Sequence, residues 1–163
     1  MDTGDSVRPV RPDEVALLPA LERAADTMFK PFDRGPFPGP GTPEEFDTAL
    51  VVLVVGVPPV GLCRIDPLGD GAHLEQLSVH PDHGRRGLGR ALLRASFEWA
   101  ASRGYPELTL TTFRDVPWNG PFYASEGFVE LGSADDWLVA QGLQPEDPVM
   151  ARYGTRIVMA RSL

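Results

Sequence analysis

Cysteine, lysine and long apolar runs are scarce in this sequence. The single cysteine, Cys63, excludes a disulfide within the chain, and its apolar neighbours predict a buried thiol rather than a nucleophile. Nowhere do about 18 apolar residues follow one another, as a membrane-spanning helix requires. The N-terminus lacks the basic and apolar regions of a secretion signal. These absences predict a cytoplasmic protein without a membrane partner.

Positive charge is also in short supply. The 163 residues contain 15 lysines and arginines against 23 aspartates and glutamates, which gives a formal net charge of −8. An electrostatic field of that sign disfavours nucleic acid as a partner and weakly favours a cationic one. The length predicts one domain, residues 1–163, which we expect to be a monomer or homodimer.

Potential metal ligands do not gather in one place. His80, Asp82 and His83 lie close together in the sequence, but no further group of ligands lies near them. Side chains of this kind in a turn are more often solvated than bound to a metal. We therefore expect a protein without a metal ion.

The most informative segment that is present runs from Leu74 to Leu93. It reads LEQLSVHPDHGRRGLGRALL, an apolar strand followed by a glycine-rich turn and a helix. The glycines let successive backbone N–H groups converge on an anion, beside the unsatisfied donors and the positive dipole end of the helix. Arginines in the same turn add positive charge. This arrangement is typical of a phosphate site.

Two other kinds of phosphate site are disfavoured by residue type. The glycine spacing of Gly84–Ala91 matches a Walker A loop, but Arg90 stands where the lysine belongs and Ala91 where a hydroxyl should bind Mg²⁺. A dinucleotide fingerprint has the order G-x-G-x-x-G with an acidic residue about 20 positions later, at the end of a strand. Here the order is reversed, and Glu107 begins a strand. Mg-ATP and NAD are therefore disfavoured.

The reversed glycine order, the flanking arginines and the L-x-V-x-P strand end resemble motif A of the GNAT superfamily of N-acetyltransferases. The resemblance covers roughly Leu50 to Leu131 and implies that the anion is the pyrophosphate of acetyl-CoA. One departure is Gly84, where the family usually has Arg or Gln. By the resemblance the strand offers main-chain groups to pantetheine and the turn holds the pyrophosphate. The implied cofactor-binding residues are Leu77, Ser78, Val79, Arg85, Arg86, Gly87, Leu88, Gly89 and Arg90.

A second segment, WNGPFYASEGF at Trp118–Phe128, predicts a short helix. Asn119 is placed to cap this helix, Pro121 suits its first turn and Gly127 ends it. The resemblance implies that Asn119 hydrogen-bonds the pantetheine arm and that the Tyr123 hydroxyl lies near the thioester sulfur. Without the resemblance, Tyr123 is better interpreted as a half-buried aromatic residue that packs under the helix.

Glu75 is the candidate general base. An amine acceptor has a pKa of about 10.4 if it resembles lysine, so it must lose a proton before it attacks. Strand alternation places Glu75, Leu77 and Val79 on one face unless a bulge intervenes. Apolar neighbours would raise the pKa of the carboxyl group and suit it to this role. The alternative is a glutamate that only orders the strand or binds a cationic substrate.

The pattern of apolar residues predicts an α/β (α+β) fold in which one mixed sheet of about six or seven strands is flanked by helices. The segment Lys30–Pro43 is expected to be a loop whose phenylalanines wall a pocket or pin the loop to the core. Residues 135–154 are ambiguous, with Trp137–Gly142 open to a helical interpretation and Pro145–Pro148 expected to be a loop. The predicted strands are Val7–Val10, Leu50–Val55, Val60–Ile65, Ala72–Val79, Leu108–Phe113, Phe128–Leu131 and Arg156–Ala160, and the predicted helices are Pro12–Phe29, Gly87–Ser102 and Pro121–Glu126.

These features and the resemblance together predict an acetyl-CoA-dependent N-acetyltransferase, an acyltransferase with acetyl-CoA as cosubstrate. A primary amine of a small molecule or peptide would attack the thioester directly in a ternary complex. Glu75 would act as base, the backbone N–H near Leu77 would polarise the carbonyl, and Tyr123 would protonate the departing thiolate. The alternative from another class is a non-catalytic acyl-CoA-binding sensor. The sequence leaves the acceptor open among antibiotics, polyamines, amino acids and protein N-termini.

Overall fold

The computed structural model describes residues 6–32 and 42–163, which form one mixed sheet flanked by helices. Its strands in chain order are β1 (Arg8–Pro9), β2 (Val51–Val55), β3 (Gly61–Leu68), β4 (Gly71–Val79), β5 (Glu107–Phe113), β6 (Val129–Ser133) and β7 (Arg156–Ser162). Its α-helices are α1 (Leu18–Asp26), α2 (Leu88–Ser102), α3 (Gly120–Ser125), α4 (Ala134–Ala140) and α5 (Pro148–Arg152), with 3-10 turns at Pro12–Leu17, Thr27–Phe32, Pro43–Thr48 and Pro81–His83. The seven strands lie in the order β1-β2-β3-β4-β5-β7-β6. The predicted fold class is confirmed.

The sheet is antiparallel except where β4 and β5 lie side by side. These two strands pair in parallel only over Ala72–Leu74 and Leu108–Leu110. Beyond that point β4 continues to Val79 and β5 to Phe113 without pairing with each other. The sheet therefore splits, and the second half of β4 presents one edge to an open cleft.

Helices cover both faces of the sheet. Alternate residues of a strand point to opposite faces, so Leu53 and Val55 of β2 join a core that contains Leu92 of α2. Val54 faces the other way and joins a smaller core that contains Leu18 of α1. Full burial of a leucine stabilises a fold by about 1.5–3 kcal/mol. The two helices thus hold the strands beside the split from both sides.

The N-terminal helix differs from the prediction. Instead of one α-helix from Pro12 to Phe29, the chain forms a 3-10 turn, then α1, then a second 3-10 turn. Pro19 lies in the first turn of α1, where a missing N–H costs least, and Pro31 lies inside the second 3-10 turn. The prolines therefore set where the α-helix begins and ends. Met28, near the end of the predicted helix, is exposed.

An ion pair connects the N-terminal segment to the sheet. Arg8 donates to both carboxylate oxygens of Glu14, at 2.8 and 2.7 Å, and to the carbonyl of Gly56 at 3.0 Å. Glu14 is buried, and the hydrogen bond from Arg8 is the main reason that the pKa of its carboxyl falls to about 2. The pair links β1, the first 3-10 turn and the turn after β2.

The C-terminal third contains one helix more than the prediction. The segment open to a helical interpretation, Trp137–Gly142, is covered mostly by α4, whereas α5 lies where no helix was expected. Its start carries two local signals: the Asp147 side chain accepts a hydrogen bond from the Val149 N–H at 3.0 Å, and Pro148 occupies the first turn. The prolines of this segment favoured a loop and masked those signals.

The predicted loop Lys30–Pro43 lies only partly within the described residues. Its first three residues belong to the second 3-10 turn, whereas residues 33–41, and with them Phe37, fall outside the described ranges. Among the helices that the structure describes, none has the length and apolar character needed to cross a membrane.

Candidate active site

Strand pairing decides which backbone groups of β4 face the cleft. The His80 N–H, just past the end of β4, donates to the Val60 carbonyl at 2.8 Å. Pairs that exchange hydrogen bonds alternate with pairs that do not in an antiparallel ladder. By this alternation Ser78 turns its backbone groups toward β3, whereas Leu77 and Val79 point theirs away from it. Because β5 has diverged at this point, the main-chain groups of these two residues face the cleft.

The turn after β4 leads into α2 and forms an anion site. Gly87 occupies the N-cap position with φ of +76°, a left-handed conformation that glycine adopts at little cost. Arg85 has a similar φ of +60°. No side chain of the described residues caps α2, so the N–H groups of Leu88, Gly89 and Arg90 lack partners within the helix. These donors and the positive end of the helix dipole together favour a bound anion.

A cleft of about 710 Å³ joins this turn to the split in the sheet. Its volume falls within the range typical of small-molecule sites. Arg86 is the one predicted site residue that does not line it. The predicted residues that do are Glu75, Leu77, Ser78, Val79, Arg85, Gly87, Leu88, Gly89, Arg90, Asn119 and Tyr123.

A bulge in β4 shapes the position of Glu75. The pairing with β3 shifts between Arg64 and Ile65, which leaves Glu75 as the extra residue. The regular alternation expected for Glu75, Leu77 and Val79 is therefore interrupted at its first member. The Glu75 side chain is 46% exposed, but into the cleft. Burial is the main cause that raises the pKa of its carboxyl, and Arg64 acts against that rise.

Carboxylates from distant elements line the cleft beyond Glu75. Asp26 of α1 is the clearest case, because burial raises the pKa of its carboxyl to about 6. Apart from the adjacent pair Glu146 and Asp147, which the sequence shows as a charged segment, these residues lie far apart in the chain and carry no local pattern. The carboxylates are Glu22, Asp26, Glu45, Glu146 and Asp147.

Two arginines lie among these acids. Arg156 donates to both oxygens of Glu146, at 2.9 and 2.7 Å, and its guanidinium lies over the Phe113 ring. Arg64 is 8% exposed, with Nε 3.2 Å from an Asp66 oxygen. Carboxylates outnumber the arginines in this half of the cleft, which suits an acceptor that carries positive charge.

A sequence model of the acetyltransferase (GNAT) family matches residues 20–128. The chain belongs to the GNAT acetyltransferase family. The match contains motif A and most of the cleft-lining residues described above, so the resemblance noted from the sequence is confirmed.

Solved structures share the GNAT fold. The PaiA N-acetyltransferase of Thermoplasma acidophilum, solved with coenzyme A, is 13% identical with a TM-score of 0.69, over 97% of this chain and 98% of that one. An acetyltransferase of Thermus thermophilus is 20% identical with a TM-score of 0.64, over 99% of both chains. The ribosomal-protein-S18-alanine N-acetyltransferase of Escherichia coli is 21% identical with a TM-score of 0.64, over 96% of this chain and 92% of that one.

In this GNAT domain, Tyr123 has features of both interpretations made from the sequence. It is 9% exposed and packs against Phe128, with ring centroids 5.6 Å apart, yet it also lines the cleft. Burial is the main cause that raises the pKa of its hydroxyl, which therefore keeps its proton near neutral pH. The neighbouring core holds Cys63, whose pKa burial raises to about 12. This confirms the expected buried thiol.

Asn119 has another structural role than the one predicted. It occupies the N-cap position of α3, but its side chain does not cap the helix. Its φ of −115° and ψ of −112° depart from the extended conformation that directs a capping side chain at the first turn. Instead, Oδ1 accepts a hydrogen bond from the Phe113 N–H at 3.4 Å. The predicted side-chain cap is wrong, and the amide nitrogen is the group left to reach a ligand.

Two arginines of motif A, Arg86 and Arg90, are already engaged with other residues. Arg90 donates to Glu126 at 2.5 Å, and Arg94 donates to the other oxygen of the same carboxylate at 3.3 Å. Arg86 Nη1 lies 3.2 Å from His83 Nδ1. Backbone N–H groups and Arg85 are therefore the donors that this GNAT turn offers without rearrangement.

The two turn histidines form no metal centre with their neighbours. His80 Nδ1 accepts a hydrogen bond from the Asp82 N–H at 3.1 Å, which gives it a local role in the turn. Within residues 6–32 and 42–163, no group of three or more His, Cys, Asp or Glu side chains is arranged to hold a metal ion.

Proposed function

We propose that this GNAT domain is an acetyl-CoA-dependent N-acetyltransferase that acts on a primary amine by direct attack in a ternary complex. The observation that carries the proposal is the cleft itself. Its one end is the N-terminus of α2, its other end contains Glu75, and the unpaired edge of β4 connects them. A nucleotide fits the end at α2, a linear thioester arm fits along the edge of β4, and an amine fits the end that contains Glu75.

Each part of the cleft offers donors suited to acetyl-CoA. The first-turn N–H groups of α2 would hold the pyrophosphate, and the main-chain groups of Leu77 and Val79 would pair with the amides of pantetheine. The Asn119 amide nitrogen would add a hydrogen bond to the same arm. The coenzyme A in the T. acidophilum structure supports this assignment. Arg85, in its left-handed conformation at the mouth of the turn, would add charge.

Acetyl transfer would take place near Glu75, at the end of the cleft that lies away from α2. Glu75 would take one proton from the ammonium form of the amine, and the amine nitrogen would then bond to the thioester carbonyl carbon as the carbon–sulfur bond breaks. The second proton lost by the nitrogen would pass to the departing thiolate. The Leu77 N–H would donate to the carbonyl oxygen as negative charge develops there. The raised pKa of Tyr123 makes full proton transfer to a thiolate unfavourable, since cysteine-like thiols have a pKa of about 8.5. Its hydroxyl would instead stabilise the thiolate by a hydrogen bond.

The acceptor is a small-molecule or peptide amine. The carboxylates of the cleft favour an acceptor that carries positive charge. The name of the E. coli enzyme specifies an alanine of ribosomal protein S18, and a NatC complex of 12% identity, TM-score 0.66, was solved with a peptide and CoA. These relatives make peptide N-termini one of the classes to be tested.

An amine panel tests the proposal. Polyamines, amino acids, aminoglycosides and short peptides are each incubated with acetyl-CoA, and release of free thiol is followed with a chromogenic disulfide. The expected result is amine-dependent thiol release with stoichiometric acetylamine by mass spectrometry. Tight acetyl-CoA binding without turnover of any amine would instead favour the acyl-CoA sensor.

A further inference from the structure

A buried histidine lies behind the candidate base. His73 precedes Glu75 by two residues on β4 and is 5% exposed. Its Nε2 is 3.9 Å from Glu75 Oε2. The roles proposed for the cleft residues in acetyl transfer do not include this side chain.

Thr109 determines which nitrogen of His73 carries the proton. Nδ1 lies 2.8 Å from Thr109 Oγ1, and that hydroxyl donates to the Ala72 carbonyl at 3.4 Å. The Ala72 carbonyl can only accept, so we assign the single hydroxyl proton to it, and Oγ1 then accepts from the Nδ1–H of His73. Burial lowers the pKa of His73 to about 4, and the ring is therefore neutral at pH 7. Its Nε2 then presents a lone pair to Glu75.

The carboxyl group of Glu75 lies between a cation and this acceptor. Oε1 is 3.9 Å from Arg64 Nη2, and Oε2 is 3.9 Å from His73 Nε2. The ionised carboxylate is attracted to Arg64 and has no proton for His73. A protonated carboxyl loses that attraction and can donate its O–H to Nε2 after a movement of about 1 Å.

We infer that His73 is a positioning residue whose Nε2 accepts a hydrogen bond from Glu75 after Glu75 has taken the proton of the amine. The inference rests on the role proposed for Glu75 in acetyl transfer. The amine N–H bond breaks, the proton stays on Glu75, and the bond to His73 holds it until solvent removes it. Because this hydrogen bond stabilises the neutral carboxyl, it makes Glu75 a stronger base.

Other charged groups act on this pair and remain unchanged in the test. Because they are the same in every variant, a change in the titration of Glu75 reports its contact with His73. These groups are Arg64 and Asp66 of β3, Glu146 before α5, Arg156 of β7, and Glu22 and Asp26 of α1 in the same cleft.

Two substitutions of His73 form a matched pair. His73→Asn keeps an amide near the Nδ1 position and removes the acceptor at Nε2, whereas His73→Gln places an amide oxygen near the Nε2 position. Two quantities are measured: the acid limb of kcat/KM for the best amine of the panel, and the ¹³C NMR titration of the Glu75 carboxyl, assigned with Glu75→Gln.

His73→Asn should move both titrations to lower pH by about one unit, as expected for one lost hydrogen bond to the neutral form. It should also lower the plateau of kcat by about threefold, because a weaker base removes the proton less readily. His73→Gln should restore both values. A purely structural role would lower activity without moving the titration.

Thr109→Val provides an independent variant if His73 cannot be replaced without loss of the fold. It removes the acceptor of Nδ1–H, so the proton should shift to Nε2, which then donates to ionised Glu75 and lowers its pKa. The ¹⁵N shifts of His73 report the tautomer directly. An unshifted Glu75 titration in folded Thr109→Val and His73→Asn would overturn the inference.

Failure of the proposed function gives a different result. If no amine is acetylated, the enzyme proposal fails, but the NMR titration of the free protein still decides whether His73 and Glu75 are coupled. If amines are acetylated and the titrations do not move, the enzyme proposal stands and the His73 inference fails.

Discussion

Glu75 has a chemical environment that differs from those of the other cleft carboxylates. The bulge in β4 places it beside the unpaired strand edge, where a thioester carbonyl would lie. Asp26, by contrast, lines the cleft from the end of α1, and Glu146 is held by Arg156 at 2.7 Å. The raised pKa of Glu75 is shared with Asp26, so its position beside the unpaired edge is the reason for proposing Glu75 as the base.

Glu75→Gln should lower kcat by about 10² to 10⁴-fold, the usual share of general base catalysis. Acetyl-CoA affinity should stay within about twofold, because the proposed reaction places the amine, and not the nucleotide, beside this carboxyl group. The loss should shrink as the pH approaches the pKa of the amine. Steady-state kinetics from pH 6 to 10 check this, with Glu98→Gln on the exposed side of α2 as control.

Tyr123→Phe should lower kcat by about 10² to 10³-fold, as expected for loss of one hydrogen bond to a developing anion. Burial raises the pKa of this hydroxyl, so the loss should be constant between pH 6 and 9, unlike that of Glu75→Gln. Tyr105→Phe, a tyrosine that stacks on Trp99, is the control. Full activity of Tyr123→Phe on a good amine would leave the residue a packing role only.

Among the elements, those with a strong local pattern were predicted well. The strands β2 to β5 and α2 have apolar residues at regular spacing, and turn glycines mark the limits of α2. The bulge at Glu75 depends on the register between β3 and β4, which the apolar pattern does not determine. The split after Leu74 was not predictable because it depends on where pairing with the distant β5 stops. Prolines also hid α5, whose cap at Asp147 was readable.

The contact between β1 and the first 3-10 turn should make the free energy of unfolding depend on pH, because it contains the carboxyl group of Glu14. Its pKa is depressed to about 2 in the folded chain, so its contribution is present above the unfolded pKa and is lost as the pH falls from about 4.5 toward 2. Glu14→Gln should therefore lower the free energy of unfolding by about 2 kcal/mol at pH 7.

The same substitution should have little effect near pH 2. Urea unfolding of both proteins at pH 7, 4 and 2.5 checks this, with exposed Glu44→Gln as control. An equal difference at every pH would mean that the pair with Arg8 is not the origin of the effect.

At the scale of the whole molecule, the sequence predicted the acetyl-CoA half of the cleft better than the acceptor half. The former is one continuous segment from β4 into α2, so its motif is visible in the chain. The latter is assembled from α1, β3, β7 and the segment before α5. Charged residues such as Asp26 and Arg64 carry no local pattern and become neighbours only in the fold.

The function proposed for this cleft requires that it bind acetyl-CoA, with the pyrophosphate of acetyl-CoA at the N-terminus of α2. A Cβ at Gly89 would lie 3.9 Å from Val79 Cγ2, so Gly89→Ala fits, whereas Gly89→Glu places a carboxylate where the pyrophosphate should lie. Ala101→Glu adds the same charge to the exposed C-terminal part of α2.

Isothermal titration calorimetry with acetyl-CoA compares these variants most directly. We expect Gly89→Glu to bind acetyl-CoA at least about 100-fold more weakly, because the substitution removes the main charge-assisted contacts to the pyrophosphate. Gly89→Ala and Ala101→Glu should bind it about as tightly as the parent protein. Equal affinity of Gly89→Glu and the parent protein would contradict this position of the pyrophosphate.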